Sequence, residues 1–242
     1  MRRLFIVAIL ATASISCFAQ GATVSVQQSL SQYVQSTTTD ADRIPYLTEL
    51  NTTLGTEGSA MLWNGWCTGR VYLTNGTVLQ ETDKTLNFDK MKKGLLLKLS
   101  EKNVLEVNMA PIQYFILNDG TNDLVFRQLP GKPSEYALEL QTGPEYSSYK
   151  TISTQFFKAD YVNKGLYQSG SRYDRYVDEV KYYIFDKQGK MVEVVKTGKK
   201  ELKKLGEELP MAKKYLEKNS FDTSDPDKSI KDLTAFINKP MS

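Results

Sequence analysis

The sequence predicts a mainly β fold with a helical C-terminal appendage. Turn signals recur about every 8–15 residues between residues 59 and 198, and Tyr, Val, Thr and Phe dominate the segments between them. After residue 198 the apolar residues change to helical spacing. Parallel strands need helical crossovers, and no such segment occurs between residues 59 and 198. The expected architecture is therefore an antiparallel β-sandwich, roll or partly closed barrel built from sequential hairpins.

Residues 1–19 have the layout of a secretory signal peptide. Arg2 and Arg3 precede the apolar run Leu4–Ala11, and Ala19 supplies a small residue before Gln20. The apolar run is shorter than the roughly 20 residues that a bilayer-spanning helix needs. Cleavage after residue 19 leaves 242 − 19 = 223 residues. We therefore expect an exported protein of the periplasm or outer envelope, or a secreted one, whose mature chain has no transmembrane segment.

Cys17 allows a second interpretation of the same segment, because a lipoprotein signal also ends at a cysteine that becomes acylated. The residues at 14–16 are Ser-Ile-Ser, where a Leu usually stands three positions before the cysteine. Plain cleavage before Gln20 is favoured, and a lipid-anchored surface protein stays an alternative.

Residues 20–58 are rich in Ser, Thr and Gln and are predicted to be a polar leader or linker. Within them Val24, Leu30, Tyr33 and Val34 are expected to form at most one short helix or strand.

Residues 59–198 are predicted to form one antiparallel β domain. Asn75-Gly76 is typical of a type I′ hairpin turn, which needs positive φ at both central residues. Strands that do not belong to a predicted hairpin are expected at Tyr136–Leu140, Thr151–Phe157 and Val177–Lys181. Four hairpins are predicted, in the order Val71–Thr74 with Thr77–Leu79, Leu95–Leu99 with Val104–Val107, Ile112–Leu117 with Leu124–Leu129, and Tyr182–Phe185 with Met191–Val195.

Residues 199–239 are predicted to form two or three short amphipathic helices docked on the β domain. The first covers Lys199–Leu209, Pro210 suits the first turn of the second, and Ser224 or Asp225 caps the last. The lysines of this tail lie among glutamates, which is typical of a solvated helix face with local ion pairs.

Composition excludes several kinds of chemistry. The chain has no histidine, which rules out Ser-His-Asp and Cys-His catalysis and ordinary zinc or copper sites. Without Arg2 and Arg3, 29 basic residues face 28 acidic ones, so the composition does not indicate an electrostatic footprint for nucleic acid. Cys67 is the one cysteine beyond the signal segment and is expected to be a small buried hydrophobe. No cofactor and no metal is predicted.

Three groups of residues were considered as catalytic or metal sites. The three short motifs of penicillin-recognising serine enzymes are matched by Ser147–Lys150, Tyr161–Asn163 and Lys196–Gly198. These segments lie in a β-rich region and not in the helical context that the enzymes have, so the match is weak evidence for this activity. The acidic loops at 118–123 and 222–227 do not fit a calcium loop and are expected to be a turn and a helix cap. A glycosidase needs two carboxylates and no histidine, so the candidates Asp160, Asp174, Asp178 and Glu179 keep that alternative open.

Aromatic residues give the best indication of binding. Exposed rings stack on sugars or hold an extended peptide, and the candidate binding residues are Trp63, Trp66, Tyr167, Tyr173 and Tyr176. The competing interpretation is that these rings pack in the sheet. Neighbouring residues of a strand point to opposite faces, so one of Tyr182 and Tyr183 is expected to face inward and the other outward.

Three sequence features suggest a wider resemblance. They are the Ala19-Gln20 signal end, the Gly69–Gly76 hairpin, and the segment Tyr182–Lys190 before a lysine-rich helical tail. With these features the chain resembles small exported proteins of Bacteroidetes-type bacteria over most of residues 60–240. The resemblance implies an envelope protein with a β-rich body and brings no catalytic residues.

Taken together, these features predict an exported non-enzymatic binding or structural protein. Its expected ligand is a glycan, a peptide or an envelope protein. The alternatives are a carboxylate-dependent glycoside hydrolase and a lipid-anchored surface protein.

Overall fold

A computed structural model describes residues 29–37, 43–44, 55–101, 103–163, 165, 167–194 and 199–239. The signal segment and Cys17 lie outside these residues. The helices are α1 (Leu30–Thr37), α2 (Lys199–Glu208), α3 (Pro210–Lys218) and α4 (Pro226–Ile237). The strands are β1 (Arg43–Ile44), β2 (Cys67–Leu73), β3 (Val78–Asp89), β4 (Gly94–Ser100), β5 (Asn103–Glu106), β6 (Ile112–Asn118), β7 (Asp123–Leu129), β8 (Lys132–Thr142), β9 (Tyr146–Phe157), β10 (Val162–Asn163), β11 (Gln168–Ser169), β12 (Arg175–Asp186) and β13 (Met191–Val194).

The fold is mainly antiparallel β with a small helical C-terminal part, as the sequence predicts. One open sheet of 11 strands has the order β1-β5-β4-β3-β2-β6-β7-β8-β9-β12-β13, and β10 and β11 form a separate two-stranded sheet. The chain runs outward from β2 to β5, returns to pair β6 with β2, and then continues outward through β9 to β13. All four predicted hairpins are present. The predicted strand Val177–Lys181 is continuous with Tyr182–Phe185 in the long strand β12.

The turn between β2 and β3 differs from the predicted type I′ turn. Gly76 has a φ of +84°, whereas Asn75 is not among the positive-φ residues of the described chain. Gly76 N–H donates to Leu73 O at 3.0 Å, and Leu73 N–H donates to Thr77 O at 2.9 Å. This pattern is a three-residue loop whose last residue is left-handed. One positive φ therefore suffices, and glycine supplies it without strain.

The main core lies on one face of the sheet and is closed by the helices. Leu30 and Val34 of α1 are buried in it, together with apolar residues of α2, α3 and α4. Leu30–Thr37 is thus the short helix expected within the polar leader, and its two buried side chains anchor it to the sheet. Cys67 is 3% exposed and its Sγ donates to Leu86 O at 3.1 Å, which confirms its burial.

A second, smaller cluster lies on the opposite face of the sheet. Tyr182 belongs to the main core, whereas Tyr183 packs with Tyr149 and Phe185 in the second cluster. The two rings do point to opposite faces, but the outward one is also buried. The Lys132 ammonium lies 5.4 Å from the centroid of the Tyr183 ring and helps to cover it.

The far end of the β3–β4 hairpin reaches back to β9 and β12. Lys90 O accepts a hydrogen bond from Thr154 N at 3.3 Å. The buried Lys90 Nζ lies 2.7 and 2.8 Å from the two carboxylate oxygens of Asp178. Since β3 and β9 are distant in the strand order, these bonds show that the sheet curls around its core.

The three C-terminal helices begin and end close to where the sequence predicts. Pro210 opens α3, and Asp225 caps α4 by accepting from Lys228 N at 3.0 Å. The lysines of the tail do form local pairs with acidic residues one helical turn away, such as Lys204 with Glu208. Ile230, Leu233 and Ile237 are buried where α4 packs on β8 and β9.

Side-chain hydrogen bonds hold both ends of α4 on the sheet. At its first turn, Asp227 accepts from Tyr182 Oη at 2.6 Å and from Lys150 Nζ at 2.8 Å. At its C-terminal end, Asn238 Oδ1 accepts from the backbone N–H groups of Glu145 and Tyr146, both at 2.9 Å. The same side chain donates to Tyr146 O at 2.9 Å and to Thr234 O at 2.8 Å.

Candidate functional site

The β9–β12 hairpin is the longest regular feature of the sheet and carries the candidate site at its end. Twelve residue pairs run in unbroken antiparallel register from Tyr146↔Asp186 to Phe157↔Arg175. Beyond the last pair, the described residues between 158 and 174 form a loop that includes the short strands β10 and β11, paired Val162↔Ser169 and Asn163↔Gln168. A continuous hydrogen-bonded ladder therefore fixes the position of this loop.

Exposed apolar side chains are concentrated at this end of the hairpin. Of the eight large hydrophobic residues that are exposed in the described part of the chain, six lie between residues 156 and 177. Tyr167 is the most exposed at 78%, and Tyr173 is 51% exposed. Clustered exposed apolar groups are a feature of interaction surfaces, so this end of the hairpin is the candidate site. We call this end of the hairpin the aromatic tip and define it as Phe156, Phe157, Val162, Tyr167, Tyr173 and Val177. Phe156 pairs with Tyr176 and Phe157 with Arg175, so the tip exposes apolar groups on both faces of the hairpin end.

Basic side chains lie among the rings of the tip. The Arg172 guanidinium carbon lies 4.7 Å from the Tyr161 ring centroid, and its Nη2 donates to Tyr161 Oη at 3.2 Å. The Arg175 guanidinium carbon lies 5.5 Å from the Phe157 ring centroid. Both arginines and Lys158 are exposed. Stacking on the rings holds each guanidinium in place while leaving its charge at the surface.

The two carboxylates of the same loop hydrogen-bond to its backbone. Asp160 Oδ1 accepts from Ser171 N at 2.7 Å, and Asp174 Oδ1 accepts from Ala159 N at 2.7 Å. The chain crosses itself closely here, since a Cβ on Gly170 would lie 2.4 Å from Asp160 O, and Gly170 has a φ of +85°. These acids therefore shape the loop, and Asp160 is exposed beside the three cations and the rings.

The base of the tip is braced by the segment that precedes β2. Glu57 N donates to Asp174 O at 2.9 Å, and Tyr176 N donates to Glu57 O at 2.8 Å. A Cβ on Gly55 would lie 2.8 Å from Tyr173 Cδ1, so this segment also supports the Tyr173 ring.

The five binding residues predicted from the sequence do not form one surface. Tyr167 and Tyr173 lie on the tip, but Tyr176 is 8% exposed and packs against Phe156 with ring centroids 5.0 Å apart. Tyr176 is therefore corrected to an interior residue: it alternates with its exposed neighbours Arg175 and Val177 along β12 and points to the core face.

The two tryptophans are half-buried in other parts of the fold. Trp63 packs against the main core, and its backbone N–H donates to Asn87 Oδ1 at 3.4 Å. Trp66 packs against a small cluster of Met61, Leu96 and Val104. The structure therefore does not bring either ring to the tip.

Sequence reasoning missed Phe156, Phe157, Val162 and Val177 as members of the surface. Each has an ordinary β-strand composition around it, so only the end of the ladder shows that they are exposed.

The four candidate glycosidase carboxylates each have a structural partner. Asp178 binds Lys90, Glu179 Oε1 lies 3.5 Å from Lys181 Nζ, and Asp160 and Asp174 hold the tip loop. Asp178 and Glu179 are neighbours on β12 and so point to opposite faces of the sheet.

The serine-enzyme motif does not form a catalytic arrangement in the part that is described. Ser147 pairs with Phe185 on the outer face of β9, and Lys150 pairs with Tyr182 on the core face. The two side chains thus lie on opposite sides of one strand. Lys196–Gly198 lies outside the described residues.

The acidic loops are a turn and a cap, as expected. Asp119 Oδ1 accepts from Thr121 N and Asn122 N, and these bonds hold the pKa of its carboxyl below the ordinary value. Asp222 likewise accepts from Ser224 ahead of α4. Among the residues that the structure describes, no group of three or more Cys, Asp or Glu side chains is placed to hold a metal ion.

An apolar groove of about 830 Å³ lies between α2 and α3. Leu202, Gly206, Leu216 and Phe221 contribute to its lining, and its edges carry lysines and glutamates of both helices. Within the described chain, no helix combines the length and apolar composition needed to cross a bilayer.

Comparison with known proteins gives no relative: the chain matches no family model, no curated protein and no solved structure. The geometry of the tip is therefore the basis for the functional argument.

Proposed function

We propose that this chain is an exported, non-enzymatic binding or structural protein of the bacterial periplasm or outer envelope, and that it contacts its partner through the aromatic tip. The observation that carries the proposal is the concentration of exposed large apolar side chains between residues 156 and 177. Large rings bury much area on binding and lose little side-chain entropy, which suits them to recognition.

The rigidity of the hairpin supports a binding role. The tip loop is held by the β9–β12 ladder, by the hydrogen bonds that Asp160 and Asp174 accept from its backbone, and by the Glu57 bridge. A preorganised surface loses less freedom on association than a mobile loop does.

A non-enzymatic role is supported by the chemistry that the residues offer. The chain lacks histidine, and of the carboxylates that a glycosidase could use, Asp178 pairs with Lys90 while Asp160 and Asp174 hydrogen-bond to the tip loop. Replacing them is therefore expected to change stability before it changes any turnover.

The binding proposal is tested with isolated bacterial envelopes. The protein from residue 20 onward is mixed with envelopes and sedimented, as wild type and as the double variant Tyr167→Ser/Tyr173→Ser. We expect the wild type in the pellet and the double variant in the supernatant. The matched control is Met91→Ser/Met191→Ser, which removes two exposed apolar side chains elsewhere and should still sediment.

Equal sedimentation of the wild type and the tip variant would remove the tip as the contact surface. Circular dichroism of both variants shows whether they fold, so a loss of binding is not confused with unfolding.

The export part of the proposal has its own measurement. When the full chain is expressed, the intact mass of the exported product should correspond to a chain that begins at Gln20. A product that begins at Cys17 and carries acyl chains would show the lipid-anchored alternative instead.

A further inference from the structure

The exposed hydrocarbon of the tip favours a water-poor partner. Phe156, Phe157 and Val162 expose hydrocarbon without a polar group, unlike the Tyr, Trp and Asn side chains that typically line sugar sites. A glycan offers such side chains little, since its surface is largely hydroxylated. The hydrocarbon boundary of a bilayer removes them from water.

The charged part of the tip complements an anionic surface. Three exposed cations, Lys158, Arg172 and Arg175, outnumber the two carboxylates of the loop, the exposed Asp160 and the half-buried Asp174, which accept hydrogen bonds from the loop backbone. Basic residues beside exposed apolar rings are the pattern of proteins that rest on anionic lipid headgroups.

The backbone of the tip also suits a water-poor environment. The β10–β11 pairing satisfies backbone groups within the loop, and Asp160 N donates to Ser171 O at 3.1 Å. Backbone groups that enter an interface need such internal partners, because lipid supplies none.

From these three observations we infer that the aromatic tip docks on a lipid bilayer that carries anionic headgroups, with its rings at the acyl boundary and its basic side chains at the phosphates. This inference rests on the proposed function, since it names the partner of the same surface. Tyr167, as the most exposed ring, is placed at the level of the headgroups, where its hydroxyl stays hydrated.

The experiment uses the protein from residue 20 onward and vesicles that contain no protein or glycan. Vesicles of phosphatidylethanolamine with phosphatidylglycerol are compared with vesicles of phosphatidylcholine alone. A cysteine is placed at the tip by Tyr167→Cys and labelled with an environment-sensitive fluorophore. Selective labelling is possible because Cys67 is buried. The matched control is Met91→Cys, an exposed apolar position on the β3–β4 turn.

We expect the label at position 167 to brighten with anionic vesicles, and the label at position 91 to stay unchanged. Arg172→Gln and Arg175→Gln should each lower partitioning about fivefold at low salt, as expected for one basic residue near an anionic surface. High salt should weaken binding of the wild type in the same way.

Three outcomes separate the inference from the proposed function. Brightening confined to position 167 with anionic vesicles supports both. Tip-dependent sedimentation with envelopes but no response to vesicles overturns the lipid partner and leaves the binding role. A tip variant that binds envelopes and vesicles as well as the wild type overturns both.

Discussion

Cys67 shows how burial sets the reactivity of a single residue. Burial is the largest effect on its thiol and raises the pKa from an ordinary 9.0 to about 12. The thiolate is therefore scarce near neutral pH. The residue type and the strand context were enough to predict this burial, because a lone cysteine among alternating apolar residues behaves as a small hydrophobe.

The raised pKa of Cys67 predicts a loss of stability in alkali. The unfolded chain releases the thiol proton near pH 9.0, whereas the folded chain keeps it until about pH 12, so rising pH favours unfolding across that window. The free energy of unfolding, measured with urea, should fall more steeply between neutral pH and about pH 10 in the wild type than in Cys67→Ala. Identical slopes would show that Cys67 ionises normally. Tyr136, Tyr149 and Tyr182, whose pKa values burial also raises, act equally in both proteins.

Asn238 and Gly143 form a pair that no local pattern indicates. A Cβ on Gly143 would lie 2.2 Å from Asn238 Cγ, so the glycine leaves room for the side chain that caps α4 and the β8–β9 turn. The two residues are almost a hundred positions apart in the chain, and local sequence patterns do not predict contacts between such distant residues.

Asn238→Ala should destabilise the fold by about 2 kcal/mol, because several hydrogen bonds of about 0.5–1.5 kcal/mol each are lost and exposed partners regain water. Gly143→Ala should destabilise it by a similar amount through the clash. The double variant should lose clearly less than the sum, since the clash needs the Asn238 side chain. Chemical denaturation of all four proteins checks this, and additive losses would contradict the contact.

At the scale of the element, α4 depends on its first turn. Asp227 accepts from Tyr182 and Lys150 and also lies at the positive end of the helix dipole. Asp227→Asn should lower the free energy of unfolding by about 1–2 kcal/mol and speed hydrogen exchange in α4 before it affects the central strands.

The control on the same helix is Asp232→Asn. Asp232 pairs with Lys228 one turn away on the exposed face, and such pairs contribute about 0.5 kcal/mol or less. Equal effects of the two substitutions would contradict a contribution from the contacts of Asp227 with Tyr182 and Lys150.

Local signals explain why most elements were predicted correctly. Hairpin turns and helix caps are set by a few adjacent residues, so Asn75-Gly76, Pro210 and Asp225 mark boundaries that the structure confirms. The pairing of β2 with β6 and the joining of two predicted strands into β12 depend on distant partners, and the sequence alone does not contain them.

For the whole molecule, the helical appendage completes the core. Leu205, Ala212, Ile230 and Leu233 are buried together with residues of the sheet. A chain that ends at residue 198 should therefore expose the core face, bind a hydrophobic dye and aggregate. Cooperative unfolding of that truncated chain would show that the sheet folds without the helices.

The stability of the core is expected not to depend on the tip loop. Replacing residues 159–173 with a short glycine-rich turn should keep the melting temperature within a few degrees of the wild type, since the exposed rings contribute little burial. The same variant should lose envelope binding. A collapse of the fold would instead assign the loop a structural role.

The candidate site could be predicted only in part, because the exposure of some of its residues depends on contacts between distant parts of the chain. Tyr167 and Tyr173 lie in a segment whose glycines and serines indicate a loop, so their exposure follows from composition. The exposure of Tyr176, Trp63 and Trp66 depends on which face of each strand is covered. The curl of the sheet decides this, and the sequence alone does not show it.

The attachment of α4 to β8 and β9 also constrains the order in which this chain can acquire its structure. The helix α4, which covers part of the core, is synthesised after every strand that it packs against. The core face of the sheet therefore stays partly uncovered until residues 226–238 have been made. If the chain is exported as we propose, the late synthesis of this helix helps the chain to stay unfolded, and so able to cross the membrane as an extended polypeptide. The last helix would then act as the step that commits the protein to its native state on the far side of the membrane.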